Sequence, residues 1–349
     1  MVAVGFVGTG LIAWAHALGI EAMIDAGVVD ASVVAVHDAD ATRAAAFADV
    51  THAAVVPSAE EVVDRSDALW VCTPTAAHAR VVEAALARGR AVFCEKPLAP
   101  TLAAAERLVA LVEGAGIVAQ VGLVLRSAPV FRQLRALLAS GRLGRPMTAV
   151  LRDDQYFPVQ GMYASDWRAQ VDVAGGGCLI EHSIHDVDIL RYCLGEVTEV
   201  TARTATFAGH PGIEDLAVVT MQHASGATTE IVSIWHQILS RGSTRRLEVF
   251  CEQGLVWLEN EFVGPLQVET SDGVEVLACD PDPWVHELPF ARDDIGLSLQ
   301  VYAQADEAFL RAVVTGQAAE PSFGDALVAH RLVDAAYRSA AAGGGPVAP

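Results

Sequence analysis

The chain has 349 residues, which is long for a single hydrophobic core and typical of two domains. Its formal net charge of −20 excludes the basic footprint that nucleic-acid binding requires. Charged residues and glycines interrupt every apolar run before it reaches the length of a membrane span, so we expect no interaction with a membrane.

The first 124 residues alternate between apolar runs of strand length and helical patterns. The run Val2–Val7 follows no basic segment and is predicted to be a first strand, not a signal peptide. Further strands are predicted at 32–36, 68–72, 91–94 and 117–121, with helices near 11–26, 42–47, 76–88 and 102–113. Strands that are apolar throughout and separated by helices indicate an α/β domain with a doubly wound, parallel Rossmann sheet.

Residues 125–349 predict a second domain of the α+β class. Its signals are strands at 147–152, 199–207, 216–223, 228–235, 246–251 and 255–258, with helices near 130–140 and 184–194. Consecutive strands with short turns indicate an open, largely antiparallel sheet. Two helices near 297–314 and 324–341 close the chain and are free to pack back on the first domain. The glycine-rich tail 343–349 is expected to be disordered.

A glycine-rich turn, Gly8-Thr-Gly10-Leu11-Ile12-Ala13, joins the first strand to the first helix. The first glycine permits a tight turn, and the second lets the backbone approach a pyrophosphate. The N–H groups that open the helix, those of Leu11 and Ile12 included, then face the anion. At the first strand–helix junction of an alternating domain, this turn predicts a dinucleotide site.

Asp38, at the end of the second predicted strand, is placed to accept hydrogen bonds from the adenosine ribose. Its charge would repel the 2′-phosphate of NADP, although Arg43, one turn away, could still bind that phosphate. NAD is therefore predicted in preference to NADP. Asp38 could at the same time cap the second helix.

Lys96 is the only lysine among 23 basic residues, and the other 22 are arginines. A site that keeps lysine in such a chain needs its compact, tunable amine. It lies in Glu95-Lys96-Pro97 after the fifth strand, while Thr73-Pro74 and His78 follow the fourth. Because the carboxyl ends of parallel strands carry the ligand in such sheets, we expect these residues beside the cofactor. His78 could instead simply cap or pack.

The third chemical signal follows the triplet Gly175–Gly177, where Glu181 and His185 are four residues apart. A helix starting after the triplet would place both on one face. An imidazole titrates near working pH, so His185 is the candidate acid/base for an alcohol–ketone conversion. Lys96 is the candidate donor to the reacting oxygen. Glu181 would orient His185 or bind a substrate hydroxyl.

Together these motifs resemble the Gfo/Idh/MocA family, named after glucose–fructose oxidoreductase and inositol dehydrogenase. Arg126 with Pro129, the Gly141–Gly144 turn and Trp167-Arg168 fit the same pattern. The resemblance implies an NAD(P)-dependent oxidoreductase in which Lys96 and His185 flank the reacting carbon. It also implies a cis Lys96–Pro97 bond and a homodimer or homotetramer formed through the open sheet. The family usually has aspartate at the position of Glu181, which leaves the role of this residue open.

Substrate contacts are predicted in the irregular stretch before the glycine triplet, at Tyr163, Trp167 and Arg168. Arg126 either binds substrate or forms a salt bridge between the domains. An acidic group in the same region is a candidate for holding the ammonium of an amino sugar: Asp153, Asp154, Asp166 and Asp172.

These observations predict a cytoplasmic, NAD-dependent dehydrogenase or reductase that interconverts a secondary hydroxyl and a ketone on a sugar, cyclitol or amino sugar. One alternative is an NAD-using glycosidase that oxidises its sugar transiently, eliminates the leaving group and reduces again. Another is a non-catalytic NAD-sensing protein. The six cysteines show no CxxC pair and no metal-ligand spacing, so free thiols and no metal are expected.

Overall fold

A computed structural model describes residues 1–260, 262–289 and 294–349 of the chain. The chain divides into two compact units. The first unit combines residues 1–124 with 281–327, and the second combines residues 125–280 with 328–349. The chain therefore returns to the first unit after completing most of the second.

The N-terminal part of the first unit alternates strands and helices. In chain order these are β1 (Val2–Val7), α1 (Leu11–Asp25), β2 (Ala31–His37), α2 (Ala41–Thr51), β3 (Ala54–Val55), α3 (Ala59–Arg65), β4 (Ala68–Val71), α4 (His78–Leu86), β5 (Ala91–Cys94), α5 (Leu102–Ala115) and β6 (Ala119–Val121). All six strands form one parallel sheet in the order β3-β2-β1-β4-β5-β6. The predicted doubly wound sheet is confirmed, and its order reverses beside β1, where such sheets bind nucleotides.

The central strands of this sheet are buried on both faces. Every residue of β4 and β5 is buried, as their uninterrupted apolar sequences predict. The sequence analysis does not predict two short elements, β3 and α3. Strand β3 has only two residues, and both are exposed. Ser58 nonetheless gives α3 a regular start, since its side chain accepts the Glu61 N–H at 3.2 Å.

The second unit begins with mixed elements and continues as a sheet. In chain order these are α6 (Pro129–Ala139), β7 (Pro146–Tyr156), α7 (Val171–Ala174), α8 (Cys178–Glu181), α9 (Ile184–Leu194), β8 (Val197–Ala205), β9 (Leu216–His223), β10 (Thr228–His236), β11 (Thr244–Cys251), β12 (Gly254–Leu258), β13 (Leu266–Thr270) and β14 (Gly273–Leu277). The sheet order is β14-β13-β12-β11-β7-β10-β9-β8. Only the β7–β10 pair is parallel among these strands, so the predicted, largely antiparallel sheet is confirmed.

Two long helices follow, α10 (Asp294–Thr315) and α11 (Phe323–Ala341). Helix α10 belongs to the first unit and packs on α1 at a small-residue contact. A Cβ added to Gly19 would lie 3.2 Å from the Cβ of Ala303, so the two helices are already in close contact there. No helix in the described ranges is long and apolar enough to cross a membrane.

The C-terminal tail differs from the sequence expectation of disorder. The backbone of Val347 exchanges two hydrogen bonds with Val200 of β8, each 2.9 Å long. Ser339 of α11 also donates its hydroxyl to the carbonyl oxygen of Gly345 at 2.6 Å. Backbone pairing of this kind orders the tail even though its composition contributes little apolar surface.

Candidate active site

The glycine-rich turn of the first unit has the geometry of an anion cradle. Gly8 has a φ of +89°, and a Cβ there would lie 2.7 Å from the backbone nitrogen of Thr73, so only glycine fits. A Cβ on Gly10 would meet nothing within 4 Å, which leaves room for a ligand. The first turn of α1, with Leu11 and Ile12, has neither a side-chain cap nor an acidic residue. Its N–H groups therefore suit a pyrophosphate.

Asp38 follows β2 and is held by several donors of its own unit. One carboxylate oxygen accepts the Thr9 N–H at 2.7 Å and the Thr9 hydroxyl at 2.9 Å. The other accepts the Asp40 N–H at 2.8 Å and lies 3.3 Å from an Arg43 nitrogen. Burial raises the pKa of Asp38, but these donors outweigh it and lower the pKa below its ordinary value. The helix cap is Asp40 rather than Asp38, because Asp40 accepts the N–H groups of Thr42 and Arg43.

His78 ties together the loops that follow β4 and β5. Its Nδ1 lies 3.0 Å from the carbonyl oxygen of Pro97, and its Nε2 lies 2.9 Å from that of Thr73. The ring is buried, and burial lowers its pKa despite these two acceptors. Thr73 Oγ1 is also buried and, within the described residues, has no hydrogen-bond partner. The loop after β4, which contains Thr73 and Pro74, is thereby tied through His78 to the loop after β5, at the carboxyl ends of these strands.

The Glu95-Lys96-Pro97 segment follows β5 directly, and the Lys96–Pro97 bond is cis, as the resemblance predicts. Glu95 is buried, and one of its carboxylate oxygens accepts the Lys96 backbone N–H at 3.2 Å. The Lys96 side chain is half-buried. Because β1 and β5 are parallel strands of one sheet, Lys96 and the glycine-rich turn lie at the same edge of that sheet.

Sequence reasoning missed a histidine behind this segment. His16 of α1 is fully buried, with Nε2 3.0 Å from Glu95 and Nδ1 2.7 Å from Asp306 of α10. Its position six residues beyond Gly10 is visible in the sequence, but nothing local marks a partner 290 residues away.

In the second unit, the expected single helix carrying Glu181 and His185 is wrong. Helix α8 ends at Glu181, and α9 begins at Ile184. The break has a physical cause at Ser183, whose hydroxyl lies 3.1 Å from Asp153 and 2.7 Å from the hydroxyl of Ser233. These bonds to the sheet turn the chain between the two helices, so the one-face argument does not apply.

The start of α8 is fixed by a buried carboxylate. Glu214 accepts the Gly177 N–H at 2.8 Å and the Leu179 N–H at 3.0 Å, and the Tyr337 hydroxyl at 2.8 Å. A Cβ on Gly177 would lie 1.8 Å from the Glu214 carbonyl oxygen, which explains the last glycine of the triplet. Burial raises the pKa of Glu214, and the three donors oppose that effect.

Glu181 is buried and paired with Arg168. The Arg168 Nε donates to a Glu181 oxygen at 2.6 Å, and the guanidinium also lies over the rings of Trp167 and Tyr163. The guanidinium carbon is 4.5 Å from the first ring centre and 6.0 Å from the second. The predicted substrate-loop residues thus come together around one ion pair.

Arg126 forms a bidentate pair with Asp188, with bonds of 2.8 and 2.6 Å. Both residues belong to the second unit. Asp188 is buried.

Two members of the acidic group expected to hold an amino sugar are already paired. Asp153 is buried and lies 3.0 Å from Arg245, which faces it across the β7–β11 pair. Asp154 lies 3.0 Å from an Arg241 nitrogen and 2.9 Å from Arg152. Although burial raises both pKa values, these cations hold them below the ordinary range. The proposed ammonium site therefore loses Asp153 and Asp154, while Asp166 and Asp172 are exposed.

The remaining chemistry is simple. All six cysteines are free thiols, and four of them are buried. In the described ranges, no three histidine, cysteine, aspartate or glutamate side chains form a group suited to a metal ion.

Both parts of the chain match known protein families. Residues 2–123 match an oxidoreductase family with an NAD-binding Rossmann fold, and residues 131–257 match the GFO/IDH/MocA C-terminal domain. The chain is 31% identical to inositol 2-dehydrogenase of Rhizobium meliloti (strain 1021) over 346 residues, 97% of this chain and 96% of that enzyme. It is 30% identical to 1,5-anhydro-D-fructose reductase of Ensifer adhaerens over 312 residues, 82% and 90% of the two chains.

Solved structures agree on the fold. Levoglucosan dehydrogenase in complex with NADH and levoglucosan superposes with a TM-score of 0.87 over 99% of both chains, at 23% identity. An oxidoreductase from Agrobacterium radiobacter in complex with NAD+, L-tartaric acid and magnesium gives 0.83 over 99% of this chain and 98% of the other, also at 23% identity.

Proposed function

The chain belongs to the GFO/IDH/MocA oxidoreductase family, and we propose that it oxidises a secondary hydroxyl of a cyclitol or sugar to a ketone, reversibly, with NAD. The supporting observation is similarity along nearly the whole chain to an inositol 2-dehydrogenase, together with an anion cradle and a lysine at one edge of the Rossmann sheet. The similarity to a 1,5-anhydro-D-fructose reductase supports the same hydroxyl–ketone chemistry in the opposite direction.

The cofactor-binding roles in this proposal follow from the first unit. Gly8, Gly10, Leu11 and Ile12 hold the pyrophosphate by backbone contacts, and Asp38 accepts from the adenosine ribose. The loops bearing Thr73, Pro74, His78 and Glu95 line the nicotinamide end, and Arg43 stays paired with Asp38. When bound, NAD supplies the hydride acceptor.

The catalytic roles rest on proton and charge requirements. Loss of a hydride from the substrate carbon must accompany loss of the hydroxyl proton, and we assign that proton to the imidazole of His185. Lys96 donates a hydrogen bond to the same oxygen and stabilises the negative charge that develops there. Glu181, neutralised by Arg168, positions polar groups of the substrate site. Arg126, Tyr163 and Trp167 are assigned to the substrate side of the second unit.

The test is a panel of cyclitols and sugars, led by myo-inositol, incubated with NAD and followed by NADH absorbance. Reduction of 1,5-anhydro-D-fructose by NADH covers the reverse direction. We expect turnover of at least one panel member by the wild-type protein and none by Lys96→Ala. NADH binding without any turnover would support an NAD-sensing protein instead. Release of a leaving group from an aryl glycoside without net NADH would support the glycosidase.

Assembly and location form the remaining part of the proposal. The open face of the second sheet carries partly exposed apolar side chains, with Val218 37% and Phe250 39% accessible. We propose a homodimer or homotetramer formed through this face, with no nucleic-acid partner, because the chain carries a net charge of −20. Free thiols fit a reducing cytoplasm. Light scattering would measure the assembly.

A further inference from the structure

The buried polar cluster behind Lys96 joins three parts of the first unit. His16 of α1 lies between Glu95, at the end of β5, and Asp306 of α10. Asp306 also accepts the indole N–H of Trp70 at 2.9 Å. The ring of His16 and the carboxylate of Asp306 are fully buried, and Glu95 is 5% exposed. Three ionisable groups in a dry core are costly unless they satisfy one another.

The geometry defines the charge state of this cluster. Each ring nitrogen of His16 faces a carboxylate oxygen, and a neutral imidazole has only one N–H to donate. A neutral ring would therefore place a lone pair against a carboxylate, whereas an imidazolium donates to both. Burial lowers the pKa of His16, but Asp306 and Glu95 raise it further, to about 10. Both contacts therefore favour the imidazolium form of His16, which lies between the two carboxyl groups.

Glu95 connects His16 to the backbone of Lys96. The Glu95 oxygen that does not bind His16 accepts the Lys96 backbone N–H. Gly122 also packs closely against this carboxylate, since a Cβ there would lie 2.3 Å from Oε1 and 3.0 Å from Oε2 of Glu95. Glu95 therefore has little freedom to move while His16 is charged, and Lys96 begins from a fixed backbone position.

We propose that His16 is a positioning residue for the hydride-transfer reaction, acting through Glu95 to hold Lys96, in a cluster that also ties the cofactor helix α1 to α10. This inference deepens the proposed function and relies on it for the turnover measurement. His16 touches neither substrate nor cofactor in this assignment. Its effect is on the placement of the lysine, so it should change turnover more than cofactor affinity.

The test compares His16→Gln, Glu95→Gln and their double variant, with His223→Gln as the matched control. His223 is also a buried, hydrogen-bonded ring, but it belongs to the second unit and contacts Gly195 and Thr229. We expect kcat to fall at least about tenfold in each single variant, with NADH affinity within about threefold. Because both substitutions break the same His16–Glu95 contact, kcat of the double variant should be no lower than kcat of the more impaired single variant. His223→Gln should lower only Tm.

A second readout is independent of turnover. Lys96 is the only lysine, so reductive ¹³C-methylation gives one lysine NMR signal besides that of the N-terminus. We expect His16→Gln to displace the Lys96 signal and His223→Gln to leave it unchanged. If no panel compound is oxidised, the proposed function fails, while this signal still decides the His16 assignment.

The proposal is overturned if His16→Gln lowers Tm but leaves both kcat and the Lys96 signal as in wild type. Should His16→Gln not fold, Asp306→Asn is the second variant, because it removes one of the two anions that hold the imidazolium and leaves Glu95 in place. We expect a smaller displacement of the Lys96 signal in that variant than in Glu95→Gln, and no displacement would equally overturn the proposal. Trp70→Phe, which removes only the indole donor to Asp306, is its control.

Discussion

Arg168 and Glu181 form a 2.6 Å ion pair in the second unit, with the carboxylate 4% and the guanidinium 21% exposed. The pair explains how a glutamate is accommodated immediately before the turn that leads to His185. The glutamate side chain is long enough for Glu181 to reach the guanidinium that lies over Trp167 and Tyr163. The carboxylate is therefore neutralised within its own unit.

Removing Arg168 should expose the cost of that burial. In Arg168→Gln the Glu181 carboxylate loses its cation, and we expect the free energy of unfolding to fall by about 3 kcal/mol. Urea denaturation measures this change, and the double variant with Glu181→Gln should recover part of it. The control is Arg142→Gln, whose ion pair with Glu275 is 44% exposed on each side and should therefore contribute much less to stability. Equal losses in the two arginine variants would contradict the argument.

Lys96→Arg tests the demand for a compact amine. A guanidinium keeps the charge but is planar, larger and always protonated, so it cannot occupy the same position beside the reacting oxygen. We expect kcat to fall by about three orders of magnitude, while the dissociation constant for NADH changes little. Arg88→Lys, the reverse exchange at a partly exposed ion pair with Asp64, should leave both values near wild type. Near-normal turnover by Lys96→Arg would remove Lys96 from the chemistry.

His185→Ala tests the acid/base assignment. A base must be unprotonated to accept the hydroxyl proton, so oxidation by the wild-type protein should slow at acidic pH. In the variant we expect a lower rate and a flattened acidic limb of the kcat/KM profile. His182→Ala is the control, because His182 lies in the same turn but hydrogen-bonds to Asp153 at 3.1 Å. An unchanged acidic limb in His185→Ala would assign the proton to another group.

Asp38→Ser tests cofactor selection. The substitution removes a negative charge from the ribose end and releases Arg43, whose nitrogen lies 3.3 Å from the carboxylate. Arg43 then keeps its 3.5 Å contact with Asp40 but no longer binds Asp38, which lets it bind a 2′-phosphate. The ratio of kcat/KM for NADP to that for NAD should therefore rise by about 10- to 100-fold, or 1.4 to 2.7 kcal/mol. Asp40→Asn, which leaves Asp38 in place, should change the ratio much less. If both variants keep the wild-type preference, Asp38 does not select the cofactor.

The sequence predicts the elements whose signals are local and misses those that depend on distant partners. The glycine turn and the lysine segment each lie at the end of an apolar strand, so their place at one sheet edge follows from period and order. Strand β7, by contrast, continues past its predicted end at Arg152. The prediction ends there because two consecutive aspartates, Asp153 and Asp154, are typical of a loop. They remain in the strand because β11 places Arg245 opposite Asp153. His16 is missed for the same reason, since its partner Asp306 is remote in sequence.

The β13–β14 hairpin is a different kind of omission. Its alternating residues and the turn before Gly273 were local signals, and Gly273 has a φ of +122° that favours glycine. Nothing distant was needed to predict it. The Glu181–His185 break, however, depends on the contact of Ser183 with Ser233 across the unit, which spacing alone does not reveal.

The buried imidazolium also predicts how stability depends on pH. The pKa of His16 is about 10 in the folded chain, against 6.5 as its ordinary value, with burial opposing and Asp306 and Glu95 favouring the charge. A raised folded pKa means that the folded state binds the proton more tightly, so this stabilisation is complete below pH 6.5 and is lost as the pH rises towards 10. The wild-type free energy of unfolding should therefore fall with pH in that window by up to about 1.4 kcal/mol per unit more than that of His16→Gln. Urea denaturation of both proteins at several pH values measures the difference. Parallel curves would mean that His16 is neutral in the folded protein, and the two-carboxylate bridge would then lack its cation.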